Sequence, residues 1–168
     1  MTAMETSANR HHSLVQLDES DWPLWRCLRL QALEDAPDAF GSTLAQWSGV
    51  NDLEERWRDR LRSCGTAIVC IVDQQPAGMV ATTPPIATET ELQSMWVAPQ
   101  FRGSGVGDQL VVAMLDWARQ HELRQVRLRV RLMNLVAQRL YQRHGFIDAG
   151  KPPDEVHGVC EIEMVHLL

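Results

Sequence analysis

Apolar positions follow two different periods along this chain, and the switch between them outlines a fold. Residues 13–17 alternate weakly, as a first strand would. Asp18 to Ser20 offer N-cap side chains ahead of an amphipathic run over 22–33, where Leu24, Leu28 and Leu30 to Leu33 give a mixed apolar face. Pro37 and Gly41 break that helix. A second helical region is expected over 43–62, charged from Asn51 onward, with Leu53, Trp57 and Leu61 at helical spacing. The period then shortens. Residues 66–72 (TAIVCIV) read as a buried strand, 73–76 as a turn and 77–83 as the returning arm of a hairpin, ended by Pro84 and Pro85. Residues 89–97 make another strand, stopped by Pro99. Over 105–121, Val106, Leu110, Val111, Met114, Trp117 and Ala118 fall on one stripe of a strong helix. Residues 126–132 alternate Val126, Leu128, Val130 and Leu132 with Arg127, Arg129 and Arg131, a period-two strand. A further helix over 134–144 ends at Gly145, and 159–167 close the chain as a strand.

This interleaving, with an antiparallel hairpin first and a strand–helix–strand unit later, implies an α/β (α+β) domain: a mixed sheet flanked by helices. No internal repeat or linker interrupts it, so one domain is expected over 13–168. Residues 1–12 (MTAMETSANRHH) lack the apolar stretch of a secretory signal and read as a flexible tail.

Composition narrows the function. The chain of 168 residues is 45% apolar and 23% charged, which suits one folded core and excludes wholesale disorder. Its formal charge of −6 argues against a general polyanion binder, so no nucleic-acid partner is expected. There is no apolar run of about 18 residues, so no membrane span is expected either. Cys27, Cys64, Cys70 and Cys160 are scattered without a C-x-x-C pair, which favours free thiols in a reducing cytoplasm over a disulfide framework or zinc site. The six histidines form no H-E-x-x-H pattern, and no metal is expected.

The most informative segment runs from Val97 to Gly107, between an expected strand and a strong helix. Backbone N–H groups and the positive end of a helix dipole converge there, an arrangement that favours phosphate. No lysine follows the glycines, so the Walker pattern is absent. The spacing Gly103, Gly105, Gly107 also differs from the dinucleotide fingerprint. What remains is R-x-x-G-x-G: Arg102, Gly105 and Gly107. A second cluster lies downstream at Val130, Asn134, Ala137, Leu140, Tyr141, Gly145 and Phe146. In these two motifs, and in their order and separation, the chain resembles the GNAT superfamily, the Gcn5-related N-acetyltransferases.

The resemblance implies the GNAT fold, a mixed and mostly antiparallel central sheet splayed between its fourth and fifth strands with helices on both faces. It also implies acetyl-CoA as acyl donor, with no metal. Arg102, Gly103, Ser104, Gly105, Val106 and Gly107 would cradle the coenzyme A pyrophosphate through backbone amides. Main-chain atoms of Met95 and Val97 would pair with the pantetheine arm. Asn134 has two competing roles, as the helix N-cap or as a hydrogen-bond partner of that arm. Tyr141, the sole tyrosine, would protonate the departing thiolate or else pack as an amphipathic boundary residue. Glu91 is the leading general base for the amine and Glu89 shares its strand face; both also read as surface charges. His144 reads as a charge partner at a helix C-terminus, and Cys160 has no base beside it to make a nucleophile.

In this family the connection between the first two helices helps form the acceptor site. Here it carries Glu34, Asp35 and Asp38 beside Phe40, and residues 18–59 hold ten carboxylates. A small cationic amine is therefore the expected acceptor, against the alternative of a solvated acidic surface. The rival readings are a protein or peptide lysine or N-terminal acetyltransferase, and a non-catalytic acyl-CoA-binding regulatory module. A homodimer is expected by analogy with the family. Charge is unevenly distributed. Residues 102–143 hold eight arginines against Asp108, Asp116 and Glu122, a local +5, while the remainder carries −11. Fifteen of the sixteen basic residues are arginine, which follows from codon usage in a GC-rich genome or from a need for guanidinium at an anion site.

Overall fold

The computed structural model describes residues 11–156 and 158–168. The expected tail therefore lies mostly outside the described residues, and strand β1 (His12–Gln16) begins one position earlier than the sequence suggested. Asp18 caps a short 3₁₀ turn, accepting from the Ser20 N–H at 2.7 Å while its own N–H donates to Asp21 at 2.9 Å. This reciprocal cap launches α1 (Trp22–Asp35).

The second helical region differs from expectation. Only Glu54–Arg62 forms a helix, α2, and the stretch before it makes two 3₁₀ turns at Leu44–Gln46 and Gly49–Asn51. Gly49, which opens the second turn, adopts φ +61°, a conformation that interrupts a right-handed helix. The Asp52 carboxylate fastens this connection by accepting from Arg26 and, at 2.8 Å, from the Trp57 indole.

Strands β2 (Ala67–Val72) and β3 (Gln75–Thr82) form the hairpin. Its turn is only Asp73 and Gln74, both at positive φ, so β3 starts earlier than expected and includes Pro76. That proline is tolerated because it stands where the register shifts, between Cys70 and Ile71. Next come β4 (Glu89–Val97), α3 (Val106–Gln120), β5 (Gln125–Arg131) and α4 (Leu135–Arg143). The chain ends with β6 (Ile147–Asp148), β7 (Asp154–Val156) and β8 (Val159–Leu167). The sequence pattern missed β6 and β7, which are too short to show an alternation.

The strands form one sheet in the order β1-β2-β3-β4-β5-β8-β6, with β7 also on β8. Every pairing is antiparallel except β4 with β5. Helix α3 packs on β2 and β3, and α1 on β3 and β4. The two helices lie on opposite faces. A Cβ on Gly78 would strike Leu110 and Val106 of α3, whereas the next position, Met79, pairs with Trp96, which reaches α1. Trp25, Leu28, Ala32 and Leu33 of α1, and Leu110, Val111, Met114 and Ala118 of α3, are completely buried. These two apolar stripes hold the sheet rigid and leave the region between β4 and β5 as its weak seam.

Candidate active site

The seam is built by a short pairing and a bulge. β4 and β5 pair only from Glu89–Gln125 to Glu91–Arg127. Further along, Ala81 faces Gln93 while Met79 faces Trp96, so β4 carries one residue more than β3. Ser94, at φ +54°, takes up the extra length. Beyond this bulge the two strands separate, and a cavity of about 670 Å³ opens between Leu92–Val97 on one side and Arg129–Arg131 on the other. Its size fits a ligand pocket. The β4 edge facing it has no partner strand past Glu91, and Met95 and Val97 line the cavity along that edge.

One mouth of the cavity is the glycine-rich turn. Phe101 is buried and anchors it, and the Ser104 hydroxyl donates to the Phe101 carbonyl at 2.6 Å. Gly103 and Gly105 have φ of +75° and +84° with open space around them, so each is needed for its backbone angle. Gly105 is the N-cap of α3 and has no side chain to cap it. The first-turn N–H groups of α3 are thus left without a side-chain acceptor, as an anion site requires. Arg102, Gly103, Gly105 and Gly107 line the cavity, while the Val106 side chain belongs to the core.

Charge around the turn is tied down internally. The Arg102 guanidinium donates to the Val97 carbonyl at 3.1 Å and pairs with Asp35 at the end of α1. Asp35 also accepts from the Trp96 indole at 2.9 Å, and these bonds, Trp96 foremost, hold its carboxyl below the usual carboxylate range. Asp108, in the first turn of α3, is gripped by Arg143 at 2.5 and 2.8 Å and by His144 at 2.8 Å. Arg143 chiefly pulls the Asp108 carboxyl down to about 2. Both acids beside the turn, Asp35 and Asp108, are therefore paired with arginines, and α3 is pinned to α4.

Helix α4 supplies the opposite wall. Asn134 caps it, its Oδ1 accepting from the Ala137 N–H at 3.1 Å. The cap uses the oxygen of Asn134 and does not use its amide nitrogen, and the residue lines the cavity, so the two roles expected of it do not compete. Tyr141 lines the same cavity two turns on. It is 5% exposed, packs edge-on against Phe146 at 5.7 Å, and burial pushes its phenol above the usual value.

The expected base is placed differently. Glu91 does not line this cavity; it lies in a smaller depression of about 310 Å³ with Glu89, Arg127 and Glu163. Its carboxylate is 3.8 Å from Arg129, and Glu89 is paired with Arg127. Arg129 lines both spaces. The carboxylate that does line the main cavity, with no ion-pair partner among the described residues, is Glu161 of β8. Its signal in the sequence was the alternation of Glu161 and Glu163 along the last strand.

Of the expected acceptor residues, Phe40 lines the cavity together with Ala36 and Ala39. Glu34 and Asp38 are exposed, and neither lines it. Asp35 is already bound by Trp96 and Arg102. Of the other carboxylates of this region, five are engaged by arginines: Asp52 by Arg26, Glu54 by Arg58, and Glu19, Glu55 and Asp59 by Arg62; Asp18 and Asp21 are used in the cap ahead of α1. Arg29 was missed. It sits four residues from both Trp25 and Leu33, on the apolar stripe of α1, and that misplaced charge was readable.

Comparison with known proteins adds the following. The family model described as Acetyltransferase (GNAT) family matches residues 15–146. No curated protein matches the chain in sequence. Among solved structures, a GNAT-family acetyltransferase from Streptococcus pneumoniae superposes with TM-score 0.76 at 17% identity, covering 94% of this chain and 99% of that one. A GCN5-related N-acetyltransferase from Kribbella flavida gives TM-score 0.75 at 23% identity over 94% and 98%. Spermidine N-acetyltransferase from Vibrio cholerae, in complex with CoA and spermine, gives TM-score 0.74 at 20% identity over 93% and 95%.

Proposed function

The chain belongs to the GNAT acetyltransferase family, and from that premise we propose that it transfers an acetyl group from acetyl-CoA to a primary amine by direct attack. The observation that carries the proposal is the cavity through the seam, with the uncapped N-terminus of α3 at its mouth and Tyr141 on its wall. Acetyl-CoA supplies the acyl group already activated as a thioester. In this reading the backbone amides of 102–107 hold the pyrophosphate, Met95 and Val97 pair through main-chain atoms with the amide-bearing arm, and the Asn134 amide nitrogen donates to it. Holding both reactants in one cavity replaces a bimolecular encounter by an oriented one.

A lysine-like amine has a pKa of about 10.4 and must lose a proton before it attacks. Glu161 takes that proton; Glu91 acts only through water, from the adjoining depression. Main-chain donors of β4 face the negative charge that grows on the acetyl oxygen. Tyr141 gives its proton to the departing sulfur. Burial keeps the phenol protonated before the reaction, and the same burial disfavours a bare thiolate beside it, so the departing sulfur draws the proton even from a weakened acid.

The expected preference for a cationic acceptor rested on Glu34, Asp35 and Asp38; Asp35 is bound by Trp96 and Arg102 and the other two do not line the cavity, so the proposal does not extend to it. The likeness to spermidine N-acetyltransferase, at 20% identity, is a likeness of fold.

The test is ligand stabilisation followed by turnover. Acetyl-CoA at about 100 times its Kd should add about 2.7 kcal/mol, with ATP and NAD adding nothing comparable. Tyr141→Phe should keep that stabilisation and lower kcat by about a hundredfold or more in a thiol-release assay. Equal stabilisation by ATP or NAD, or an unchanged kcat, refutes the reading.

A further inference from the structure

Behind the α1–α2 end of the cavity stand two arginines, Arg29 and Arg60, that no described carboxylate neutralises; neither lines the cavity, but each touches residues that do. Arg29 is 7% exposed, and its Nη1 is fully buried with no hydrogen-bond partner. Among the described residues no carboxylate lies within ion-pair distance of it, whereas Arg26, Arg58 and Arg62 on the same two helices are all paired. Its guanidinium instead stacks on Phe40, 4.4 Å from the ring centroid, and Phe40 lines the cavity. Arg29 thus stands one side chain behind the wall. Burial lowers the Arg29 pKa to about 10, and the charge of Arg60, near enough to act on it, adds a smaller push in the same direction.

Arg60 has only neutral partners. It donates to Cys64 Sγ at 3.1 Å, to Gln93 Oε1 at 3.2 Å and weakly to Ser94 Oγ at 3.4 Å. Gln93 and Ser94 are cavity-lining residues at the bulge. Two like charges at a partly buried site, one of them without any hydrogen bond to a described residue, are costly unless something anionic joins them. A guanidinium fork matches a carboxylate best.

We infer that the acceptor amine also carries a carboxylate, which Arg60 receives at the α1–α2 end of the cavity while Arg29 adds its unscreened charge from behind Phe40. This rests on the acetyl-transfer reading for its amine, but not for its anion site. The amine end of the acceptor then points away from the bulge, into the seam. Arg60 exchanges two long or neutral hydrogen bonds for charged ones, and Arg29 gains the counter-charge that the fold withholds.

The experiment compares matched acceptors: amino acids against the amines they give on decarboxylation, with spermidine and phosphoethanolamine as further arms. Thiol release gives kcat/KM, and thermal stabilisation by N-acetyl amino acids against N-acetyl amines, with CoA present, gives binding without turnover. Charged hydrogen bonds of this kind are worth about tenfold or more, so the carboxylate-bearing member of each pair should lead by at least that factor. Arg60→Gln and Arg29→Met should each bring the ratio toward one, with Arg60→Lys recovering part of it. If Arg29→Met fails to fold, Arg60→Gln carries the test. Equal or better use of the decarboxylated amine, of spermidine or of phosphoethanolamine overturns the inference, as does a ratio that survives in Arg60→Gln. Thiol release from amines without a carboxylate preference keeps the transferase and removes this site. Carboxylate-dependent stabilisation without turnover of any amine keeps the site and removes the transferase. Neither turnover nor carboxylate-dependent stabilisation overturns both.

Discussion

Gly105 and Gly107 stand two positions apart in one turn, yet replacing each by alanine should move stability in opposite directions. Gly105 has φ +84° and open space where a Cβ would go, so Gly105→Ala meets no atom and costs only its backbone angle. A left-handed conformation costs an L-residue about 1–2 kcal/mol. Gly107 lies inside α3, where alanine is favoured over glycine by up to about 1 kcal/mol. Its added methyl would meet Leu140 Cδ2 at 3.3 Å and Met95 Cε at 3.6 Å, the free ends of two flexible side chains. A shift of a few tenths of an ångström accommodates it, so Gly107→Ala should be neutral to about 1 kcal/mol stabilising. For a chain of this size 1 kcal/mol is about 2–4 °C in Tm, and the two variants should therefore separate by several degrees. Urea denaturation with unchanged m checks the stabilities, and acetyl-CoA titration checks the site. Because Met95 and Leu140 both border Gly107 within the cavity, Gly107→Ala should bind acetyl-CoA more weakly than the wild type in spite of its stability. A Gly107→Ala protein as destabilised as Gly105→Ala would refute the packing argument, and unchanged acetyl-CoA affinity would remove this turn from coenzyme binding.

Three further outcomes follow from the same geometry. Asn134→Asp should keep the cap on α4 and lose only the amide donor, whereas Asn134→Ala should also lose about 1 kcal/mol of stability; wild-type acetyl-CoA affinity in Asn134→Asp would show that the amide nitrogen does not hold the arm. Tyr141 is the only tyrosine, so phenolate absorbance reports on it alone. Its raised pKa means that the unfolded chain ionises near pH 10 while the folded one does not, so stability should fall as pH rises above about 10 and phenolate should appear only on unfolding; a free titration near pH 10 in the folded protein contradicts its burial. Asp35→Ala should cost about 1–3 kcal/mol by orphaning the Trp96 indole, and Asp35→Asn should cost less because its amide oxygen still accepts that bond. The carboxyl is depressed in the folded state, so its contribution is complete above the ordinary carboxylate pKa and lost as pH falls through the lower folded value. Denaturation curves with tryptophan fluorescence measure both, and equal costs for the two variants would sink the assignment.

Much of the fold was legible because its signals are local. The strands at Glu89–Val97 and Val159–Leu167 have the limits that alternation and flanking turn residues suggested. The capping role of Asn134 and the shared face of Asn134 and Tyr141 also follow from spacing along one helix. The half of the second helical region that proved to be 3₁₀ turns was not legible, because Thr43 to Ser48 carry no feature that separates a helix from tight turns until Gly49 adopts its positive φ. Contacts between distant segments were hidden for a different reason. Asp35 meets Trp96 and Arg102 across 61 and 67 residues, and only the packing of α1 on the sheet brings them together. Of the acids that looked like an acceptor site, Asp35 is consumed by such contacts, while Glu34 and Asp38 do not line the cavity. The carboxylate facing the cavity, Glu161, came from the other end of the chain.

The single extra residue at Ser94 acts as a frameshift within a strand. Up to Gln93 the odd-numbered positions of β4 face α2, as the bond from Arg60 shows; past the bulge it is the even-numbered Trp96 that turns toward α1. Removing one residue between Gln93 and Trp96 would restore a uniform phase. Gln93 and Trp96 would then stand two positions apart on one face, so Trp96 would keep its place against α1 and Asp35 its indole partner. What β4 would lose is the bend that carries it away from β5. One residue in 168 therefore separates a continuous sheet from one with an opening through it, and a one-residue deletion there would be more damaging than many substitutions in the cavity wall.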